Sequence, residues 1–237
     1  MAITVDSRAS GAQSFPSGAN VTAATTMTWT HTLGAGSNTM LLAFVMQDAG
    51  GASTGVNWDS AGTNVAMAQE GTGAVTGTTR AEIWFLATPA TTGAKSIKAS
   101  WSGSHEACGG SASYFGVSGF NASSPQTATG SPTAVSLAVT STSGEEVVNA
   151  FVQDLGTTGS APTKGAGQTY ICAGVNTNTT SIEGGASDQA SAGASVTCTW
   201  TCASIGSWAQ IGASLTVAGG GAAAAIYPPT LTLMGVQ

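Results

Sequence analysis

Two histidines, eleven carboxylates and four cysteines are the groups in this chain that can move a proton, attack a carbon or hold a metal. Their spacing does not converge on a catalytic pattern. His31, in MTWTHTL, lies on the apolar face of a Thr-rich stretch and reads as a core or edge histidine. His105 and Glu106, in SGSHEACGG, read as a surface pair in a turn between two strands. A glycosidase needs two carboxylates facing one cleft. Glu145 and Glu146 are adjacent, so in a strand they point to opposite faces. They follow Ser-Gly at a turn, which marks them as solvent-facing. Asp48 and Asp154 end similar segments, where loop oxygens could take calcium; a hydrogen bond to turn backbone is the favoured reading. Arg80 and Glu82 share a strand face and read as an exposed ion pair worth ~0–1 kcal/mol. The chain contains no G-x-S-x-G, H-E-x-x-H or P-loop motif. An enzyme is not expected, nor a cofactor or a metal site.

The cysteines are Cys108, Cys172, Cys198 and Cys202, and none forms a C-x-x-C pair. Cys198 and Cys202 flank Trp200; in a strand, residues four apart lie ~13 Å from each other, beyond disulfide reach. Small buried thiols are the favoured reading, with a Cys172–Cys198 cross-strand bridge left open. Trp58, in GVNWDSAG, is the tryptophan in a loop-like context and the candidate glycan contact. Trp29, Trp84, Trp101 and Trp200 lie in strand patterns and are expected in the core.

The elements that would position these groups are strands. Met27, Trp29, His31 and Leu33 alternate with threonines, and so do Val196, Cys198, Trp200 and Cys202. Val135, Leu137 and Val139 alternate with Ser136, Ala138 and Thr140. Period-two alternation of this kind marks half-buried strands. MLLAFVM (40–46) and IWFLA (83–87) are apolar on both faces and read as central strands. No amphipathic helix is evident. An internal repeat is present: AFVMQDAG (43–50) is similar to AFVQDLG (150–156), and SIKASW (96–101) to SVTCTW (195–200). Phe44 then aligns with Phe151, and Trp101 with Trp200. Either two small sandwiches sit in tandem, or two related halves interleave into one jelly roll. A half with so few large apolar residues would be marginal alone. The expectation is therefore one antiparallel β-sandwich domain over 1–218, with halves at about 20–120 and 133–218.

The order SNTMLLAFVMQD, RAEIWFLATPATTGAKSIKASWSG, SASYFGVSGF, GQTYICAG, SVTCTWTCASIGSWAQIGASLTVA resembles jelly-roll-like modules of phage structural proteins and bacterial surface proteins. The resemblance spans roughly residues 20–218 and is one of strand pattern. It implies a structural role and brings no catalytic motif with it.

Composition narrows the partners. Charged residues are 7% of the chain, the net charge is −6, and Lys plus Arg total five. Nucleic-acid binding needs basic residues to neutralise phosphates, so that role is excluded, and an anionic membrane surface with it. No apolar run approaches the ~18 residues of a spanning helix. MAITVDSRAS lacks the basic and apolar regions of a signal peptide, so synthesis in a host cytoplasm is expected.

Beyond Ala218 the chain reads GGGAAAAIYPPTLTLMGVQ, a Gly/Ala spacer and then an apolar segment at 219–237. Pro228-Pro229 enforces an extended path. Ile226, Tyr227, Leu231, Leu233 and Met234 would each return ~1.5–3 kcal/mol if buried in a groove or against a sheet edge. The sequence thus points to a non-enzymatic virion structural protein, a capsid decoration or cement protein of a tailed phage. Its expected partners are copies of itself, a trimer being one arrangement, and another virion protein such as the major capsid protein. The alternatives are a carbohydrate-binding module or tail-fibre adhesin, and a self-assembling fibre subunit that uses the tail as a donor strand.

Overall fold

The computed structural model describes residues 2–8, 19–48, 51–131, 134–155, 160–175, 182–202 and 206–219. The tail residues Ile226, Tyr227, Leu231, Leu233 and Met234 lie outside the described residues. The first half carries β1 (Thr4–Arg8), β2 (Ala19–Leu33), β3 (Met40–Gln47), β4 (Ser53–Trp58), β5 (Val65–Ala66), β6 (Ala68–Gln69), β7 (Ala74–Thr76), β8 (Thr79–Ala87) and β9 (Gly93–Phe115). A short β10 (Val117–Phe120) joins it to the second half. That half carries β11 (Gln126–Gly130), β12 (Val135–Thr140), β13 (Glu146–Asp154), β14 (Thr163–Lys164), β15 (Thr169–Val175), β16 (Ile182–Ala190), β17 (Ser195–Thr201) and β18 (Ser207–Val217). The fold is all-β, and its paired strands are antiparallel, as the alternation implies.

In the first half, β9 does the work of two strands. Its first part pairs with most of β2 and with β4, and its second part with β1, β3 and the start of β2. The turn-over lies where β2 shifts register between Val21 and Thr26. Opposite that shift, Gly103 sits at φ +84°, a left-handed backbone that glycine adopts without a Cβ clash. One ribbon thereby covers both faces of a core made of Met27, Trp29, Leu41, Val45, Trp58 and Trp101, among others.

The second half repeats this layout with separate strands. β3 is flanked by β8 and β9, and β13 is flanked by β16 and β18. β17 pairs with β12 and β14 just as the first part of β9 pairs with β2 and β4. The halves keep their ladders to themselves, except that β10 pairs with β18. They stack face to face, and the apolar core between them is built from β3, β8 and the end of β9 on one side and from β13, β15, β16 and β18 on the other. The contacts across this seam are reciprocal: β8 lies on β18 while β16 lies on β9, and β3 lies on β13. Such self-complementary contact is the geometry of a two-fold dimer interface, here formed within one chain.

The repeat is real, but its sequence register is off by one residue in β3. Phe44 faces the seam, whereas Phe151 faces the outer sheet beside Trp200 and Trp208. Leu42, Phe44 and Met46 match Val148, Ala150 and Val152, so the true anchor is Gln47-Asp48 against Gln153-Asp154. A one-residue slip turns every side chain to the other face, and shared phenylalanines concealed it. Close packing at the seam depends on Gly184, where a Cβ would come within 2.8 Å of Cys108 Sγ.

Candidate functional site

The chemically capable side chains lie in three places: the interior of the first half, the interior of the second half, and the two ends of the seam. Inside the first half, His31 is buried with both ring nitrogens engaged. Nδ1 is 2.9 Å from Ser111 Oγ and Nε2 is 3.0 Å from Ser113 Oγ. Trp29 Nε1 donates to Ser111 Oγ at 3.0 Å, and Ser113 Oγ donates to Asp6 Oδ2 at 2.7 Å. Burial pulls the His31 pKa down to about 4, against a small opposing pull from Asp6. His31 is therefore a neutral core histidine, as its apolar face suggested. Although a serine, a histidine and an aspartate are linked, the aspartate binds the serine and not the imidazole. That order cannot orient a base toward a nucleophile.

Several charged groups that read as solvent-facing are interior. Arg80 and Glu82 form a buried pair at 2.6 Å, with the Glu82 side chain 0% exposed. Glu82 also accepts from Ser53 N at 3.1 Å and from Trp84 Nε1 at 3.0 Å. The expected exposed ion pair is thus corrected: the outer sheet of the first half closes over it. Glu145 and Glu146 do take opposite faces, but both are buried. Glu145 braces the hairpin entering β13, accepting from Thr142 N at 2.9 Å and Ser214 Oγ at 2.7 Å, and from Asn121 Nδ2. His105 and Glu106 belong to β9 rather than to a turn, and Glu106 is buried because β9 passes under the seam there. Trp58 is also corrected. It ends β4, is 0% exposed, and donates Nε1 to Thr91 Oγ1 at 2.9 Å. Its face is covered by the first-half core and offers no platform for a sugar. Trp29, Trp84, Trp101 and Trp200 are core, as expected.

Both ends of the seam are acidic. At one end Asp48 Oδ1 accepts from Glu106 N at 2.9 Å and lies 3.4 Å from His105 Nδ1. Burial raises the Asp48 pKa, with His105 opposing and Asp154 adding. Asp154, across the seam, receives Thr78 Oγ1 at 3.4 Å. The bond to backbone is thus present for Asp48, with a strand as donor. At the other end Asp188 is fully buried, and its Oδ2 accepts from Arg8 Nε and from Tyr114 OH, each at 2.7 Å. Beside it, burial and the Asp188 charge raise the Glu146 pKa to about 7, with Arg8 opposing. The Tyr114 phenol is pushed up by burial and by Asp188.

All four cysteines are free thiols. Cys172 packs in the seam and Cys198 under the outer sheet of the second half, so β16 and β13 stand between the two partners of the bridge left open by sequence. Burial raises the Cys172 and Cys198 pKa values to about 12. These thiols are protonated and inert. No cluster of three or more His, Cys, Asp or Glu among the described residues is arranged to hold a metal ion.

What faces outward is different in kind. Ser136, Ala138 and Thr140 on β12 are exposed opposite Thr199, Thr197 and Ser195 on β17, of which Thr199 is half-buried, and the exposed Thr201 pairs with Thr163 on β14. Thr28, Thr30 and Thr32 on β2 do the same for the first half, with Lys98 the exposed charge among them. Sequence reasoning noticed the threonines but not that they form two broad sheets of hydroxyls. No protein-family model, no curated protein and no solved structure matches this chain.

Proposed function

We propose that the protein is a non-catalytic structural component of a virion, a decoration or cement protein that packs against like subunits and a major capsid protein. The observation that carries this reading is the division of labour between interior and surface. Most of the acids, His31 and three of the four thiols are buried, and the half-buried Asp48 is bonded to the Glu106 backbone. The outward sheets carry threonine, serine and alanine in register, which suits close packing without charge repulsion. The phage setting rests on the resemblance in strand order. Among the described residues Val75, at 39% exposure, is the one exposed large hydrophobic. Apolar anchoring therefore falls to Ile226, Tyr227, Leu231, Leu233 and Met234. The carbohydrate-binding alternative loses its aromatic with Trp58 buried.

The test is co-sedimentation with purified undecorated capsids, using the full chain and a form ending at Ala218. The full chain is expected to sediment with the particles and the shortened form to stay in solution. If the two behave alike, the tail is not the anchor. Binding to neither capsids nor tails would remove the virion reading.

A further inference from the structure

Asp188 presents two oxygens to the seam, and they are not equivalent. Oδ2 takes both Arg8 and Tyr114 at 2.7 Å, so both of its partners come from the first half. Oδ1 is buried and has no hydrogen-bond partner among the described residues. An acceptor left so costs about 1–3 kcal/mol. Asp188 lies opposite Val148 on β13, and Glu146 is two residues along on the same face. Diagonal neighbours of this kind lie ~7–8 Å apart, within reach of a long side chain. We propose that Glu146 and Asp188 share one proton, donated by the Glu146 carboxyl to Asp188 Oδ1, and that this proton keeps the second-half acid pair free of excess charge where Arg8 and Tyr114 of the first half dock on it.

The proton comes from solvent, and no other bond changes. With it in place, Arg8, Asp188 and Glu146 sum to zero charge. Without it, two carboxylates face one guanidinium and the buried group carries a net negative charge. The groups facing Glu146 are Asp188 from β16, Arg8 from β1 and Tyr114 from β9, while β18 offers Leu215, which does not titrate. The folded pKa of about 7 lies above the ordinary glutamate value of 4.5. The folded state therefore keeps a proton that the unfolded state has lost. The stabilising contribution is full below 4.5 and is lost as pH rises through about 7.

The experiment follows the unfolding equilibrium of the full chain in urea from pH 5 to 8, together with the infrared carbonyl band of protonated carboxyls at pH 6. Glu146→Gln keeps a donor for Oδ1 but cannot titrate. Glu183→Gln is the control, because Glu183 is likewise raised to about 7 but has its own partner, Gln153. Wild type is expected to lose up to about tenfold in its folding constant per pH unit for this proton. Glu146→Gln should remove that loss and one protonated-carboxyl signal; Glu183→Gln should remove its own share of the loss and its own signal and leave those of Glu146 in place. Asp188→Asn should shift the Glu146 signal to lower pH. A Glu146→Gln variant with the full wild-type pH dependence, or an unchanged carboxyl band, would overturn the proposal.

Discussion

The first half fills its interior with four tryptophans and a buried ion pair; the second fills the equivalent space with amides. In the first, Trp29, Trp58, Trp84 and Trp101 surround Arg80–Glu82 and His31. In the second, Asn149 is a hub. Its Oδ1 accepts from Trp200 Nε1 at 2.9 Å and Gln210 Nε2 at 3.3 Å, and its Nδ2 donates to Ser187 Oγ at 2.7 Å. Gln168 Nε2 adds a bond to the same serine at 2.6 Å. Glu82 lies opposite Val45, and Gly185 lies opposite Phe151, the matching position. Where one half buries a carboxylate, the other has no side chain, and the Trp200 ring takes the room. A Cβ at Gly185 would meet that ring at 2.7 Å. The same strand layout is thus compatible with two interiors, provided each polar group finds a partner.

The sharpest way to break this comparison is to remove one partner of the ion pair. Glu82→Ala takes the carboxylate from the buried Arg80 and from Ser53 N and Trp84 Nε1, and is expected to cost about 3–5 kcal/mol in urea unfolding. A loss below about 1 kcal/mol would mean that the pair is open to water after all.

The two interiors should also respond to pH in opposite senses. His31 has a folded pKa of about 4 against 6.5. Its contribution is full above 6.5 and is lost as pH falls toward 4. Glu183 has a folded pKa of about 7 against 4.5. Its contribution is full below 4.5 and is lost as pH rises through 7. His31→Gln should flatten the acid limb of the stability profile and Glu183→Gln the neutral limb, by about 2–3 kcal/mol each at the extremes. Equal effects of both variants on one limb would show that the halves do not differ in this way.

Asn149→Ala removes the hub of the second interior and is expected to cost about 2 kcal/mol, since Trp200 Nε1 loses its acceptor while Ser187 keeps Gln168 and Gln210 keeps Cys198 O. Thermal melting with tryptophan fluorescence reads both the loss and the freed indole. The smallest effect is expected from Gly185→Ala, about 1–2 kcal/mol, as the Trp200 ring shifts to admit a methyl group. If this change stabilises the protein, the ring is not close-packed there.

Much of this organisation was legible in the sequence. Thr alternation gave the outer strands, the doubly apolar runs gave β3 and β8, and the Trp101–Trp200 match gave the repeat. Period two tells which residues share a face but not which layer that face meets. That is why Arg80–Glu82 and Glu145–Glu146 read as exposed: each sits in a charged, turn-rich stretch, and only the covering sheet buries it. Trp58 misled for a related reason. Its neighbours Asn57 and Asp59 look like a loop, yet its own position closes a strand against Ile97. The seam was the least legible feature, because its specificity lies in small residues such as Gly184 and in acids far apart in the chain. The tail stays outside the described residues, so its role rests on the sequence argument.

The most direct test of the structural reading is the mass in solution of the full chain and of the form ending at Ala218, by light scattering at equal concentration. The account expects the full chain to assemble and the shortened form to be a folded monomer, its seam intact. Two folded monomers of their own single-chain mass would contradict it, because nothing beyond Ala218 would then be holding copies together.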